Sequence, residues 1–68
     1  MNTIKIIELI GISEQSWEDA ANNAVIEAQK TLEGITGLEV VGQTAKIENN
    51  QISAFRTNVK VAFVIKEE

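Results

Sequence analysis

The chain has 68 residues, enough for one domain spanning residues 1–68, and it contains no cysteine, no histidine and no proline. Without cysteine there are no disulfides or thiolate metal sites, and without histidine the usual general base near neutral pH is missing. A chain of this length buries only about 60% of the surface that its unfolded form exposes. Such small domains need a disulfide, a metal or partner subunits, so oligomerisation is the predicted means of stabilisation.

The net charge of −4, with six scattered basic residues, argues against partners such as nucleic acid or an anionic membrane surface. No apolar run approaches the ~20 residues of a spanning helix, and no signal peptide is evident, which together predict a cytoplasmic protein. No nucleophile–base pair can be built without histidine or cysteine. The glycines fit no phosphate-binding motif. The sequence therefore predicts a protein that is not an enzyme.

Residues Thr3 to Gly11 predict a first strand that is apolar on both faces, with Ile7 and Leu9 on one side. The other side carries a row of isoleucines, namely Ile4, Ile6, Ile10 and Ile12. A strand that is apolar on both faces is buried on both faces. One helix can cover only one of them, so a second covering element is predicted.

An amphipathic helix follows, starting with Ser13 as N-cap or, alternatively, with Ser16 in a capping box with Asp19, and running to about Glu33. Gly34 is expected to be a left-handed C-cap. The apolar residues of this helix recur at three/four spacing and form one stripe, namely Trp17, Ala20, Ala21, Ala24, Val25, Ala28 and Leu32. Trp17 is therefore interpreted as a core residue rather than as a platform for a ligand.

Leu38–Glu48 and Gln51–Lys66 predict two further strands, joined by a type I′ turn at Asn49-Asn50. This turn predicts the cross-strand pairs Glu48–Gln51, Ile47–Ile52, Gln43–Arg56 and Glu39–Lys60, unless a bulge near Gly42 shifts them. The side with Leu38, Val40, Thr44, Phe55, Val59, Val61, Phe63 and Ile65 is expected to face the helix. The other side is expected to carry Glu39, Val41, Gln43, Ala45, Arg56, Asn58, Lys60, Ala62 and Val64.

The predicted fold class is α+β, a β-α-β-β subunit with a three-stranded antiparallel sheet packed on one long helix. The last strand has about sixteen residues, against the usual three to ten, so it should extend beyond its own subunit. Because the second sheet face is half apolar and uncovered, a closed homo-oligomer is predicted.

The sequence resembles the dodecin family over essentially the whole chain. The resemblance rests on three parts of the sequence, in addition to the length and the β-α-β-β order. The first strand ends in Gly11-Ile12-Ser13, and the helix begins with Ser16-Trp17 and Ala20-Ala21. The hairpin contains Leu38-Glu39-Val40-Val41 and Val59-Lys60-Val61-Ala62-Phe63. The resemblance implies a hollow homododecamer with helices outside and sheets inside. It also implies storage or sequestration of a small molecule, in many dodecins riboflavin or FMN.

In the flavin-binding dodecins a tryptophan just after the helix stacks on the flavin, and a glutamine on the last strand hydrogen-bonds it. The corresponding positions are Gly37 and Arg56 in this sequence. Losing a stacking aromatic costs on the order of 1–3 kcal/mol, by analogy with base stacking. Arginine only donates hydrogen bonds and cannot replace an amide. The sequence thus resembles the subgroup without the flavin tryptophan, one member of which is described as calcium-binding.

The predicted ligand-binding positions are Gly37, Gln43 and Arg56, with Gln43 expected opposite Arg56. Two interpretations of Arg56 stay open: it binds an anionic ligand, or it forms a salt bridge to an acid of this or a neighbouring subunit. The ten acids show no calcium-loop spacing, so calcium ligands are unknown, although a symmetry axis would gather copies of one acid. The alternative to a flavin-type ligand is a structural or ion-binding dodecamer without an organic ligand.

Overall fold

A computed structural model of the protein describes residues 2–66. It contains a strand β1 (Asn2–Ser13), a helix α1 (Trp17–Gln29) and two further strands, β2 (Ile35–Glu48) and β3 (Gln51–Lys66). The sheet order is β1-β3-β2, with β3 antiparallel to both neighbours. The predicted β-α-β-β order and antiparallel sheet are confirmed.

The helix begins at the second of the two predicted starts. The hydroxyl of Ser16 accepts a hydrogen bond from the backbone N–H of Asp19 at 3.0 Å, so Ser16 is the N-cap. The Ser13 start is wrong because Ser13 is the last residue of β1, where it pairs with Phe55. Its buried hydroxyl instead donates to the Asp19 carboxylate at 2.6 Å and so ties the first turn of the helix to the sheet.

The helix ends earlier than the sequence predicted, at Gln29 rather than near Glu33. Gly34 has the expected positive φ, +74°, but it lies beyond the helix and directly before β2. Its carbonyl accepts a hydrogen bond from the Val64 N–H at 3.0 Å, which joins the connection to β3. Gly34 therefore turns the chain into β2, and its predicted role as the helix C-cap is wrong.

The hairpin has the predicted turn but a more complex register. Asn49 and Asn50 have φ of 53° and 62°, which a type I′ turn requires. An extra residue on β3, Ser53, shifts the pairing by one position. A second extra residue, Val41 on β2, shifts it back, so that the bulge expected near Gly42 is confirmed. The predicted pairs on the outer sides of these two bulges are confirmed, namely Glu48–Gln51, Ile47–Ile52 and Glu39–Lys60.

We call the side of the sheet that α1 covers the helix face and the other side the open face. Val59 and Val61 of β3 lie on the helix face with no exposed surface, as predicted, and the neighbouring Ile7 and Leu9 of β1 pack with them. The helix contributes three small buried residues, Ala20, Ala24 and Ala28. Opposite residues of antiparallel strands share a face, so the other four isoleucines of β1 lie on the open face, namely Ile4, Ile6, Ile10 and Ile12.

The subunit is a long, thin body of 54 × 19 × 13 Å. Its long axis corresponds to β3, since 16 residues at ~3.3 Å each span about 53 Å. The 13 residues of α1 span only about 20 Å, so the helix covers less than half of that length. It packs mainly on β1 and β3. Much of β2, the hairpin tip and the whole open face are left uncovered.

Candidate functional site

The open face is the candidate functional surface because it combines exposed apolar side chains with charged ones. The isoleucines of β1 on this face are 55–57% exposed, namely Ile4, Ile6, Ile10 and Ile12. One row of charges crosses the three strands, with Lys60 of β3 between Glu8 of β1 and Glu39 of β2. The row divides the open face into one end near Gly37 and another end near Arg56.

Gly37 lies within β2, opposite Ala62 on the open face, because β2 begins at Ile35 rather than at the predicted Leu38. A Cβ atom added to Gly37 would meet no other atom within 4 Å. No positive φ constrains this residue. The backbone of the subunit therefore accommodates a Cβ atom at Gly37, the position that the sequence resemblance matches to the flavin-stacking tryptophan.

Arg56 lies in the central strand on the same face, between Ile12 of β1 and Thr44 of β2. Its side chain is half-buried. Among residues 2–66, no carboxylate lies within 4.0 Å of its guanidinium and no group hydrogen-bonds it. A salt bridge within the described part of its own subunit is thus absent, and the role of Arg56 in binding an anion stays a prediction.

Gln43 does not join Arg56, and this part of the prediction is wrong. The bulge at Ser53 shifts the register, so that Gln43 pairs with Thr57 and Thr44 takes the place opposite Arg56. The Thr57 hydroxyl donates a hydrogen bond to the Trp17 carbonyl of α1 at 2.8 Å, which identifies this pair as part of the helix face. Thr44, which was expected to face the helix, is instead on the open face.

The same shift brings Ala45 to the helix face, where it pairs with Phe55. Sequence reasoning missed it because no residue type marks a bulge at Ser53. The polar neighbours of Arg56 on the open face are therefore Thr44 and, two residues along β3, Asn58, rather than Gln43.

Gly37 and Arg56 share a face but lie far apart within one subunit. Gly37 pairs with Ala62, which is six residues from Arg56 along β3. At ~3.3 Å per residue the two positions are separated by about 20 Å. One small molecule cannot touch both in a single subunit, so a pocket that includes both positions must be formed by more than one copy of the chain.

Trp17 packs on the hairpin and is not part of the open face. Its ring lies edge-on to Phe55, with 4.7 Å between the ring centroids, and its indole N–H donates to the Thr44 carbonyl at 2.8 Å. This arrangement uses both the apolar body and the polar group of the side chain. Trp17 thus packs against the hairpin, but it is only partly buried and lies outside the buried core where it was predicted.

Two grooves flank the helix on the helix face, and neither contains the predicted ligand positions. The larger, about 680 Å³, lies between the first half of α1 and Leu38 of β2. The smaller, about 380 Å³, lies between the end of α1 and β1, with Ile7, Leu9 and Leu32 in its wall. Both are open to solvent along their length.

No cluster of three or more acids that could hold a metal ion occurs within residues 2–66. Calcium takes six to eight oxygen ligands, which include backbone carbonyls and waters as well as carboxylates, so its ligands stay unknown. Two of the acids considered from the sequence, Glu67 and Glu68, lie outside the described residues. Within residues 2–66, the chain forms no helix with the length and apolar character needed to cross a membrane.

Comparison with known proteins identifies the family. The sequence model of the dodecin family matches residues 3–66. Calcium dodecin of Mycobacterium tuberculosis is 30% identical over 66 residues, which cover 97% of this chain and 93% of that protein. A crystal structure of the same calcium-chelating protein superposes with a TM-score of 0.83 at 29% identity, covering 97% of this chain and 94% of the other.

The dodecin of Streptomyces coelicolor superposes more closely, with a TM-score of 0.94 at 28% identity, covering 98% of this chain and 96% of that one. The similarity thus extends over nearly the full length of each protein, in sequence and in backbone geometry. The superpositions cover all the elements of the β-α-β-β order. The chain therefore belongs to the dodecin family.

Proposed function

We propose that this chain forms a closed homo-oligomeric shell, a dodecamer, that binds, stores or sequesters a small molecule and has no enzymatic activity. The observation that carries the proposal is the uncovered open face, with its four half-exposed isoleucines. The isoleucines lie in two pairs, one on each side of the charged row, and exposed apolar patches of this kind mark an interaction surface. Location in the cytoplasm remains part of the proposal and rests on the sequence alone.

The dimensions of the subunit support assembly. It exposes 5054 Å² of surface, whereas a compact monomer of 7.5 kDa exposes about 4,200 Å². Its radius of gyration is 14.0 Å, against about 11 Å for a compact domain of this length. Subunit contacts would bury this surplus surface. Their burial would compensate for a small core, which within residues 2–66 contains three alanines and three larger apolar side chains.

A small-molecule site is proposed between subunits, on their open faces. The 20 Å separation of Gly37 from Arg56 supports this location, because only copies from different subunits can bring the two positions together. Many dodecins bind riboflavin or FMN, but in this chain Gly37 stands in place of the stacking tryptophan and Arg56 in place of the glutamine. Flavin binding is therefore expected to be weak, and another ligand is expected to take the site.

The test is an absorption spectrum of the purified oligomer, followed by titration with riboflavin and measurement of flavin fluorescence quenching. Storage of flavin predicts bound chromophore or quenching at micromolar flavin. A colourless oligomer that does not quench at that concentration refutes flavin as the ligand. Light scattering of the same sample separates this result from failure of the assembly itself.

A second candidate function is a calcium-binding or structural dodecamer without an organic ligand. The observation that favours it is the 30% identity to a protein named calcium dodecin. Calorimetric titration of the oligomer with Ca²⁺, with Mg²⁺ as the control, tests it. Saturable, calcium-selective heat in a sample that binds no organic ligand supports this candidate, and absence of any calcium heat refutes an ion-binding role.

A further inference from the structure

Three hydrogen-bonding side chains of the open face have no partner among the residues that the structure describes. They are the guanidinium of Arg56, the hydroxyl of Thr44 opposite it, and the amide of Asn58 two residues along β3. Directly paired residues have Cβ atoms about 5 Å apart, and residues two apart along a strand are about 7 Å apart. The three groups thus offer several donors within the reach of one small ligand.

The charge distribution makes this part of the open face attractive to anions although the chain is acidic overall. Glu8 and Glu39 lie in the row of Lys60, four residues from Arg56 along β3, which is about 13 Å. Another cation, Lys46, lies at the same end of the open face as Arg56. Its Nζ is 3.9 Å from a carboxylate oxygen of Glu48. Arg56 is therefore a half-buried cation that has no acid of residues 2–66 within ion-pair distance.

An apolar wall adjoins these donors. Ile10 pairs with Asn58 and Ile12 pairs with Arg56, and both isoleucines are 57% exposed. On the other side Gly42 pairs with Asn58, and its Cβ position has no atom within 4 Å. A ligand bound here would contact the planar guanidinium of Arg56 at one end and the aliphatic surface of Ile10 and Ile12 along its length.

We infer that Arg56, with Thr44 and Asn58, binds the carboxylate of a small amphipathic acid whose apolar body lies on Ile10 and Ile12. The guanidinium pairs with a carboxylate through two parallel hydrogen bonds, which are about twice as strong as neutral ones. This inference rests on the proposed oligomeric function, since a neighbouring copy must cover the exposed side of the ligand. The proposed ligand thus presents an anionic group to Arg56, where a flavin would present the neutral edge of its ring.

The test uses 2-naphthoate and its uncharged analogue 2-naphthylmethanol, each titrated calorimetrically into the oligomer. The inference predicts that wild type prefers the carboxylate by about tenfold or more, the range expected for hydrogen bonds to a charged group. Arg56→Gln should abolish this preference while it leaves binding of the alcohol within about twofold. Arg56→Lys keeps the charge but loses the planar guanidinium, so it should retain only part of the preference for the carboxylate.

Lys60→Gln is the matched control, because it removes one cation from the same strand and face. It should leave the preference for the carboxylate unchanged. Equal affinities of wild type for the two compounds, or an equal loss in Lys60→Gln, would overturn the inference. So would a changed oligomer mass in Arg56→Gln with an unchanged preference, because Arg56 would then be an ion-pair partner of a neighbouring subunit. A monomeric wild type, seen by light scattering, would instead refute the proposed function.

Discussion

Replacement of Gly11 by alanine tests the packing of the helix on the sheet. An added Cβ would lie 1.8 Å from the backbone oxygen of Ala20, 2.8 Å from its carbonyl carbon and 3.1 Å from the Cβ of Ala24. Ordinary contacts begin at 3.4 Å, so α1 would have to lift by at least about 1.6 Å. The obstacle is helix backbone, which cannot rotate away as a side chain would.

Overpacking of a core usually costs about 1–3 kcal/mol, and this case lies at or above the upper end because the whole helix must move. Lifting the helix also weakens the packing of Ala20 and Ala24, which are 0% and 4% exposed. We therefore expect Gly11→Ala to lower the free energy of unfolding by about 3 kcal/mol or more. The T-shaped contact of Trp17 with Phe55 should be disturbed as well, since Trp17 belongs to the same helix.

Urea denaturation followed by circular dichroism and by fluorescence of Trp17 measures this effect, at one fixed subunit concentration because assembly contributes to stability. Gly37→Ala is the control, since its Cβ has open space and should change stability by less than about 0.5 kcal/mol. If Gly11→Ala is as stable as Gly37→Ala, the helix does not lie against β1 as described.

Three further predictions concern the cap, the turn and the ligand. Ser16→Ala should cost about 1 kcal/mol in urea denaturation, because the Asp19 N–H loses its acceptor, while Ser16→Asp should cost little. Asn50→Ala should cost about 1 kcal/mol at its φ of 62°, whereas Asn50→Gly should be tolerated; equal effects would argue against the type I′ turn. Gly37→Trp combined with Arg56→Gln should tighten riboflavin binding about tenfold or more in a quenching titration, and no gain would mean that the pocket differs elsewhere.

The sequence predicted the elements of the fold well where local patterns determine them. The spacing of Ala20, Ala24 and Ala28 identified the helix stripe, and the Asn49-Asn50 dipeptide identified the turn. The helix end was placed too late because Thr31 and Leu32 continue the helical pattern. In the structure, Thr31 and Leu32 both donate to the Ala28 carbonyl and close the helix.

The candidate site was predicted less well because it depends on register. A single unpaired residue, Ser53, reversed the faces of Gln43 and Thr44. Neither residue type signals this change, since both are polar and tolerated on either face. Arg56 was assigned to the correct face because β3 alternates regularly from Arg56 to the buried Val59 and Val61. The separation of Gly37 from Arg56 along β3 could be recognised only once the pairing was known.

The central claim is that the uncovered open face is buried by assembly into a closed homo-oligomer. The most direct measurement is the mass of the protein in solution, by light scattering after size exclusion or by native mass spectrometry. The account predicts a single species of twelve 7.5 kDa chains, about 90 kDa, that persists at micromolar subunit concentration. A monomer or dimer at that concentration would contradict it.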